Sequence, residues 1–276
     1  MKKNKLRLLA CQIKIPQTRT AKERDQHIKK IASELDTALQ QTPCDLVVLP
    51  ELSTVEYSRE SFAELPELAE SLDGRSVEQF QTLANQHHCH VVFGMPRKTI
   101  RGYYISQVVL GPEGLIGYYD KIHICQYGAS MEKEYFQRGQ KLLTFGIGPW
   151  VFAPIICYDI RIPELTRTLV IDHNVNCLLH SGAYFRDESF ATWRAFATTR
   201  AMENQIYLLS LNRSGKDYGE SVFYPPWVDD RHPSINLHLC DEEYRVIDLD
   251  LEVLNKVRTD YTFLKDRLEN YSNLPT

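Results

Sequence analysis

The sequence has no CxxC pair, no run of basic residues and no apolar stretch approaching the roughly 20 residues that a membrane span needs. Each absence excludes a class of protein. Without paired cysteine spacings there is neither a zinc framework nor a secreted disulfide scaffold to read. The seven cysteines, at 11, 44, 89, 125, 157, 177 and 240, are scattered and odd in number. Reduced thiols in a cytoplasmic compartment are the expectation. The 32 basic residues are outweighed by 36 acidic ones, giving a formal charge of −4. No cationic footprint remains for nucleic acid, so neither nucleic acid nor membrane is an expected partner. The opening MKKNKLRLLAC mimics a lipoprotein leader, but a secretory apolar region needs about 7 to 15 residues. Arg7 leaves only Leu8, Leu9 and Ala10 before Cys11, and the stretch reads as a first β-strand.

What is present is ordinary globular composition over 276 residues, 43% hydrophobic and 25% charged. Apolar runs of strand length recur: LRLLACQI, DLVVLPEL, HVVFGM, ISQVVLG, WVFAPIIC, NCLLHSG, IYLLSLN and YRVIDLDL. Most are near-continuous rather than alternating, as in strands buried on both faces. Between them lie helical stripes: Ile28, Ile31, Leu35 and Leu39 within residues 19 to 40, Val77, Phe80 and Leu83 within 76 to 88, and Phe190, Trp193, Ala197 and Ala201 within 188 to 204. This order predicts an α/β chain with a mixed sheet. With no internal repeat or composition break, a single domain over residues 1 to 276 is expected. The polar, glycine-punctuated stretch 123 to 148 reads as a long functional loop.

In α/β sheets, ligands sit beyond the carboxyl ends of strands. Three such ends carry chemistry. DLVVLPEL ends on Glu51, GLIGYYDKIHI places Lys121 at a strand end, and WVFAPIIC ends on Cys157. A free thiol titrates near 8.5 and is mostly unreactive at neutral pH. Attack on an amide or nitrile carbon needs a base for its proton and positive charge for the oxyanion. Glu51 suits the first task, Lys121 and the backbone N–H of Tyr158 the second. The bland readings are a structural cysteine, a solvated turn glutamate and a surface lysine. Spacing alone leaves the two readings balanced.

VVLPEL, GYYDKIHI and IICYDIRIPEL resemble the three signatures of the nitrilase superfamily of carbon–nitrogen hydrolases, in the order Glu-Lys-Cys. FATTRAMENQIYLLSLNRSG (196 to 215) and the final YRVIDLDL extend the resemblance over nearly the whole chain. It implies a four-layer α-β-β-α sandwich, assembly as a homodimer or higher homo-oligomer, a Glu51–Lys121–Cys157 triad with a thioester acyl-enzyme, and no metal or organic cofactor. It also implies a second glutamate in MEKEYFQRG, mapped to Glu132 with Glu134 as the alternative register. Tyr158 and Asp159 after the cysteine are similar to the amidase-like branch of omega-amidases and deaminated-glutathione amidases. Arg161 and Glu164 are expected as structural ion-pair residues. The expected activity is hydrolysis of a small linear amide with release of ammonia. N-carbamoyl hydrolysis, nitrile hydrolysis and, remotely, a non-catalytic binding role are the alternatives.

The segments AYFRDESFATW, from Ala183 to Trp193, and VFYPPWVDDRHPS, from 222, depart from the family's usual signals. Tyr184 and Arg186 in the first are candidates for substrate binding, because an arginine can grip a carboxylate with two parallel hydrogen bonds. The bland alternative pairs Arg186 with Asp187 or Glu188. HHCH at 87 to 90 invites a metal reading, but no second ligand pair completes a tetrahedron. Pairing His123 with Cys157 leaves Glu51 and Lys121 without a role. Trp193, Phe196 and Trp227 read as core or interface aromatics.

Overall fold

The structure is a computed structural model that describes residues 4–272, 274 and 275. Residues 1–3, which begin the leader-like stretch, lie outside them. The chain opens with β1 (Lys5–Gln12), α1 (Ala21–Gln41), β2 (Leu46–Val48), α2 (Arg59–Ala63), α3 (Leu65–Leu68) and α4 (Arg75–His87). Three long strands follow, β3 (His90–Thr99), β4 (Gly102–Gly111) and β5 (Gly114–Asp120), then β6 (Phe145–Ile147) and β7 (Trp150–Ile156). The second half adds α5 (Pro163–Ile171), β8 (Cys177–Ser181), α6 (Phe190–Asn204), β9 (Tyr207–Leu211), β10 (Val222–Tyr224) and β11 (Ile235–Asn236). It ends with β12 (Glu243–Asp250), α7 (Leu251–Asp260) and α8 (Phe263–Asp266). The stretch 123 to 148 is less irregular than its sequence suggests, since it contains β6 and a 3₁₀ turn at Glu132–Glu134.

The strands form two six-stranded sheets, ordered β12-β1-β2-β3-β4-β5 and β11-β10-β9-β8-β7-β6. Each has a parallel centre, β1-β2-β3 in one and β7-β8-β9 in the other, with antiparallel strands outside. Alternation along the strands decides the layering. Leu6, Leu8 and Ala10 of β1 share a buried cluster with Leu46, Val48, Phe152, Leu179 and Leu209, which is the seam between the sheets. Leu9 and Cys11 point the other way, into a cluster with Ile28, Ile31 and Leu35 of α1 and Phe80 and Leu83 of α4. Ile155, Leu178 and Leu208 likewise face Leu169 of α5 and Trp193 and Ala197 of α6. The layers therefore run α-β-β-α. Burial on both faces is what makes the central strands read as continuous apolar runs.

Local signals explain where the helices begin and end. Thr20 caps α1 by accepting from Glu23 N, and the Glu23 side chain returns to the Thr20 backbone, a capping box. Helix α4 stops at His88, whose left-handed backbone (φ 49°) is an αL end. His87 bonds Asp36 at 2.7 Å. The HHCH stretch forms no metal-ligand cluster, and among the described residues the one such grouping is His238, Cys240 and Asp241.

Candidate active site

Glu51 lies just beyond β2, Lys121 just beyond β5 and Cys157 just beyond β7, so two strands of one sheet and one of the other deliver them to a common rim. The Glu51 turn is locked from three sides. Gly94 of β3 lies so close that an added Cβ would sit 2.4 Å from Leu52 N and 2.5 Å from the Pro50 carbonyl. Ser53 Oγ donates to the Gly94 carbonyl at 3.0 Å, and Arg213 Nη2 donates to the Glu51 carbonyl at 3.2 Å.

Lys121 is fully buried, with 0% side-chain exposure, so its charge has no water to stabilise it. Two carboxylates take that place: Nζ donates to Glu51 Oε1 at 2.8 Å and to Glu132 Oε1 at 2.6 Å. Burial alone would lower the lysine's pKa, but Glu132 and Glu51 outweigh it and hold the ammonium well above its ordinary value. Glu132 is fixed in turn by the Cys125 N–H at 2.9 Å on Oε2 and by the Tyr57 hydroxyl at 2.8 Å on Oε1. Glu134, the alternative register, is exposed and paired with Arg59. The geometry thus brings Glu132 to the lysine and leaves Glu134 outside.

One cation between two buried carboxylates leaves a net negative charge beside the cysteine. Burial, then the charge of Glu51, pushes the Cys157 thiol well above its ordinary range, while Lys121 opposes the rise. Burial also raises Glu51, against the pull of Lys121. Glu51 Oε2 is buried and accepts no hydrogen bond among the described residues. A protonated thiol thus stands beside a carboxylate with an unused buried oxygen.

Cys157 occupies a left-handed backbone conformation (φ 45°), unusual for a residue with a side chain. Its carbonyl is clamped by the Tyr184 hydroxyl at 2.7 Å and His180 Nε2 at 3.0 Å. Burial lowers the His180 pKa to about 4, so the neutral ring donates from Nε2 while Nδ1 accepts from Ser210 Oγ at 2.7 Å. Asp159 ties the same elbow to the lysine segment. Its carboxylate accepts from Ile156 N at 3.0 Å, the Tyr119 hydroxyl at 2.8 Å and His123 N at 3.0 Å, and His123 Nδ1 lies 2.7 Å away. His123 is thereby committed to Asp159. Tyr158 N–H belongs to the first turn of the 3₁₀ helix Cys157–Arg161, where amides lack an intrahelical acceptor.

The cleft over Cys157 is small, about 40 Å³, room for roughly three waters. Tyr57, Tyr127, Tyr158, Tyr184 and Phe185 make it aromatic, and Arg161 and Asp187 charge its wall. Two expectations are corrected here. Arg186 does not line the cleft, nor does it pair with Asp187 or Glu188. Its Nη2 bonds Glu220 Oε1 at 3.0 Å, Nε donates to the Tyr218 carbonyl at 3.0 Å, and the guanidinium covers the Phe190 ring. Arg161 is not an ion-pair partner of the exposed Glu164. It lines the cleft, donates to Thr192 Oγ1 at 3.1 Å, lies 4.9 Å above the Phe196 ring and keeps a buried Nε without a partner among the described residues. His180 and Gly94 are residues the sequence reading missed. Trp193 is core, whereas Trp227 stacks on Tyr261.

The structure thus places a cysteine elbow with a left-handed backbone beside a buried Glu–Lys–Glu set in an α-β-β-α sandwich. The carbon-nitrogen hydrolase family model matches residues 7–254, and the chain belongs to that family of enzymes, which hydrolyse C–N bonds. It is 29% identical over 264 residues to a nitrilase of Pyrococcus abyssi, covering 90% of this chain and 94% of the relative. An (R)-stereoselective amidase of Pseudomonas sp. is 30% identical over 225 residues, 81% of this chain and 79% of the relative. The omega-amidase of Homo sapiens is 26% identical over 195 residues, 66% and 69% of the two chains. A carbon-nitrogen hydrolase from Helicobacter pylori G27 shares the fold with a TM-score of 0.85 at 21% identity, covering 99% of this chain and 98% of that one. Among the described residues no helix is long and apolar enough to cross a membrane.

Proposed function

We propose that the chain hydrolyses a small linear amide through a thioester on Cys157 and releases ammonia. The observation that carries this reading is the buried Lys121 shared by Glu51 and Glu132 beside a thiol held in its protonated form. Glu51 takes the thiol proton on its free oxygen, and the thiolate attacks the amide carbon. Lys121 Nζ and Tyr158 N–H stabilise the oxyanion. Glu51 then returns its proton to the nitrogen, ammonia leaves, and the acyl group stays on sulfur. Water, deprotonated by Glu51, cleaves the thioester and restores the free thiol. Glu132 keeps the ammonium in place throughout.

The small aromatic cleft suits a short, narrow acyl chain. Arg161, which lines the cleft, suits an anionic group at the far end, as an ω-amide carries. The names of relatives, amidase and omega-amidase, support the amide reading. One relative is named a nitrilase, and a nitrile would reach the same thioester after one hydration step. Incubation with a panel of ω-amides, aliphatic amides, nitriles and N-carbamoyl amines, followed by intact mass and product analysis, tests the reading. An acyl adduct on Cys157 with ammonia as the only volatile product is expected from an amide. Carbon dioxide release would assign the carbamoyl reaction instead, and inertness to every compound would sink catalysis. Seven free cysteines support a reducing, cytoplasmic setting, and the exposed Phe263, Leu268 and Tyr271 near the C-terminus support a homo-oligomer.

A further inference from the structure

A second groove of about 550 Å³ lies away from the cleft, between the turn joining β3 to β4 and the chain at 137 to 141. Its volume falls within the ~300–1,000 Å³ range of small-molecule sites. Arg97, Arg101, Arg138 and Lys141 line it against a single carboxylate, Asp120. This is a local excess of positive charge on a chain whose formal charge is −4. Arg97 is committed, its fork bonding Asp120 and its guanidinium lying over the rings of Tyr104 and Tyr118 at 5.0 and 4.2 Å. The other three cations have no ion pair among the described residues. With Arg97 paired to Asp120, three exposed cations from two chain segments line one concavity without a carboxylate partner of their own among the described residues, an arrangement that attracts an anion.

The walls are fixed by backbone bonds rather than left to loop motion. Gln137 N donates to the Tyr103 carbonyl at 2.8 Å and Gly139 N to the Lys121 carbonyl at 2.8 Å. Gly139 packs so tightly that a Cβ would sit 2.1 Å from the Asp120 carbonyl. The backbone that carries Arg138 is thus held against the hairpin that carries Arg101.

We infer that this groove is a binding site for a small, multiply charged phosphorylated molecule, held by Arg101, Arg138 and Lys141. Arginine forks and a lysine point charge match phosphate oxygens, and a ligand with at least two negative charges can engage all three cations. The assignment does not depend on the reaction proposed for Cys157. The floor of the groove, Asp120, immediately precedes Lys121, so the site lies directly behind the lysine strand end.

Calorimetric titration of the full chain with inorganic pyrophosphate at low salt tests the site. The expected result is one pyrophosphate per chain, with affinity that falls steeply as salt rises. In the double variant Arg101→Glu, Arg138→Glu, affinity should drop at least about tenfold, as befits the loss of charged hydrogen bonds. Both side chains are exposed, and an unchanged thermal unfolding midpoint without ligand confirms that the variant folds. Equal affinity in the variant, or no binding of pyrophosphate, would overturn the assignment. Citrate binding tightly where pyrophosphate binds weakly would overturn the phosphate chemistry.

Discussion

Cys157 cannot ionise unaided, because burial and Glu51 both disfavour its thiolate. Its proton must leave to a base at the moment of attack, and Glu51 Oε2 is a buried carboxylate oxygen that accepts no hydrogen bond among the described residues. Glu51→Gln should therefore fold normally and lose about 10²- to 10⁴-fold in kcat. Cys157→Ala and Cys157→Ser should show no turnover, since an alkoxide is far harder to form than a thiolate. Steady-state ammonia release checks all three, and near-normal turnover in Cys157→Ala would discard the covalent mechanism. The raised Glu51 pKa adds a pH signature: the acid limb of kcat/KM should fall above the ordinary carboxylate range near 4.5. A second residue-scale contrast separates two arginines. Arg161→Met should raise KM for an anionic ω-amide by about 2 kcal/mol, the loss of a charged hydrogen bond, and leave neutral amides nearly unchanged. Arg186→Met should affect both substrates alike, because that side chain holds Glu220 and the Tyr218 carbonyl instead of the cleft. If Arg161→Met weakens both substrates equally, the remote group of the substrate is recognised elsewhere.

Strand ends explain why some of the site was legible at the scale of elements and some was not. Glu51 and Cys157 each close an apolar run, Lys121 follows the strand Gly114–Asp120, and the position of a strand end is legible in such runs. Glu132 and Glu134 sit two residues apart in a 3₁₀ turn, and only the turn's orientation decides which reaches Lys121. The fate of Arg186 depended on Glu220, 34 residues away, whose approach no local pattern records. Gly94 was invisible for the same reason: its role is the distance between β3 and the turn after β2. That distance gives an element-scale test. Gly94→Ala places a methyl against Leu52 N, the Pro50 carbonyl and Glu51 C, all within 2.9 Å of the new atom, and the turn bearing Glu51 must move. Overpacking of this kind costs about 1–3 kcal/mol of stability. The larger effect should be on kcat, because Glu51 would leave Lys121 Nζ while Cys157 stays in place. Turnover and iodoacetamide labelling measured together check this. Lost turnover with Cys157 still accessible is expected, and unchanged turnover would mean that the turn tolerates displacement.

The whole molecule carries its electrostatic cost in buried histidines as well as in the triad. His27, on the face of α1 turned to the Glu51 turn, lies with Nε2 3.0 Å from the Ser53 carbonyl, and His180 clamps the cysteine elbow from β8, the neighbour of the strand that carries it. Burial lowers both to about 4 from an ordinary 6.5. The folded state thus prefers them neutral, and the unfolded chain takes up their protons first as pH falls. Stability is full above about pH 6.5 and is lost progressively as pH drops through that value toward 4. Each unit of separation corresponds to about 1.4 kcal/mol, so each ring accounts for stabilisation on the order of 3 kcal/mol across the window. Glu51 works in the opposite direction, since its raised pKa makes the folded state bind a proton more readily than the unfolded chain. The net slope is therefore shallower than two histidines alone would give. Replacing one histidine isolates its share. His27→Gln keeps a donor for the Ser53 carbonyl and removes the titration. Urea unfolding between pH 6.5 and 5 should then show a slope smaller by roughly three-quarters of a proton, about 1 kcal/mol per pH unit, than in the parent chain. An identical slope in the two proteins would mean that His27 titrates normally in the fold, and acid sensitivity would have to arise from His180 and the carboxylates around Lys121.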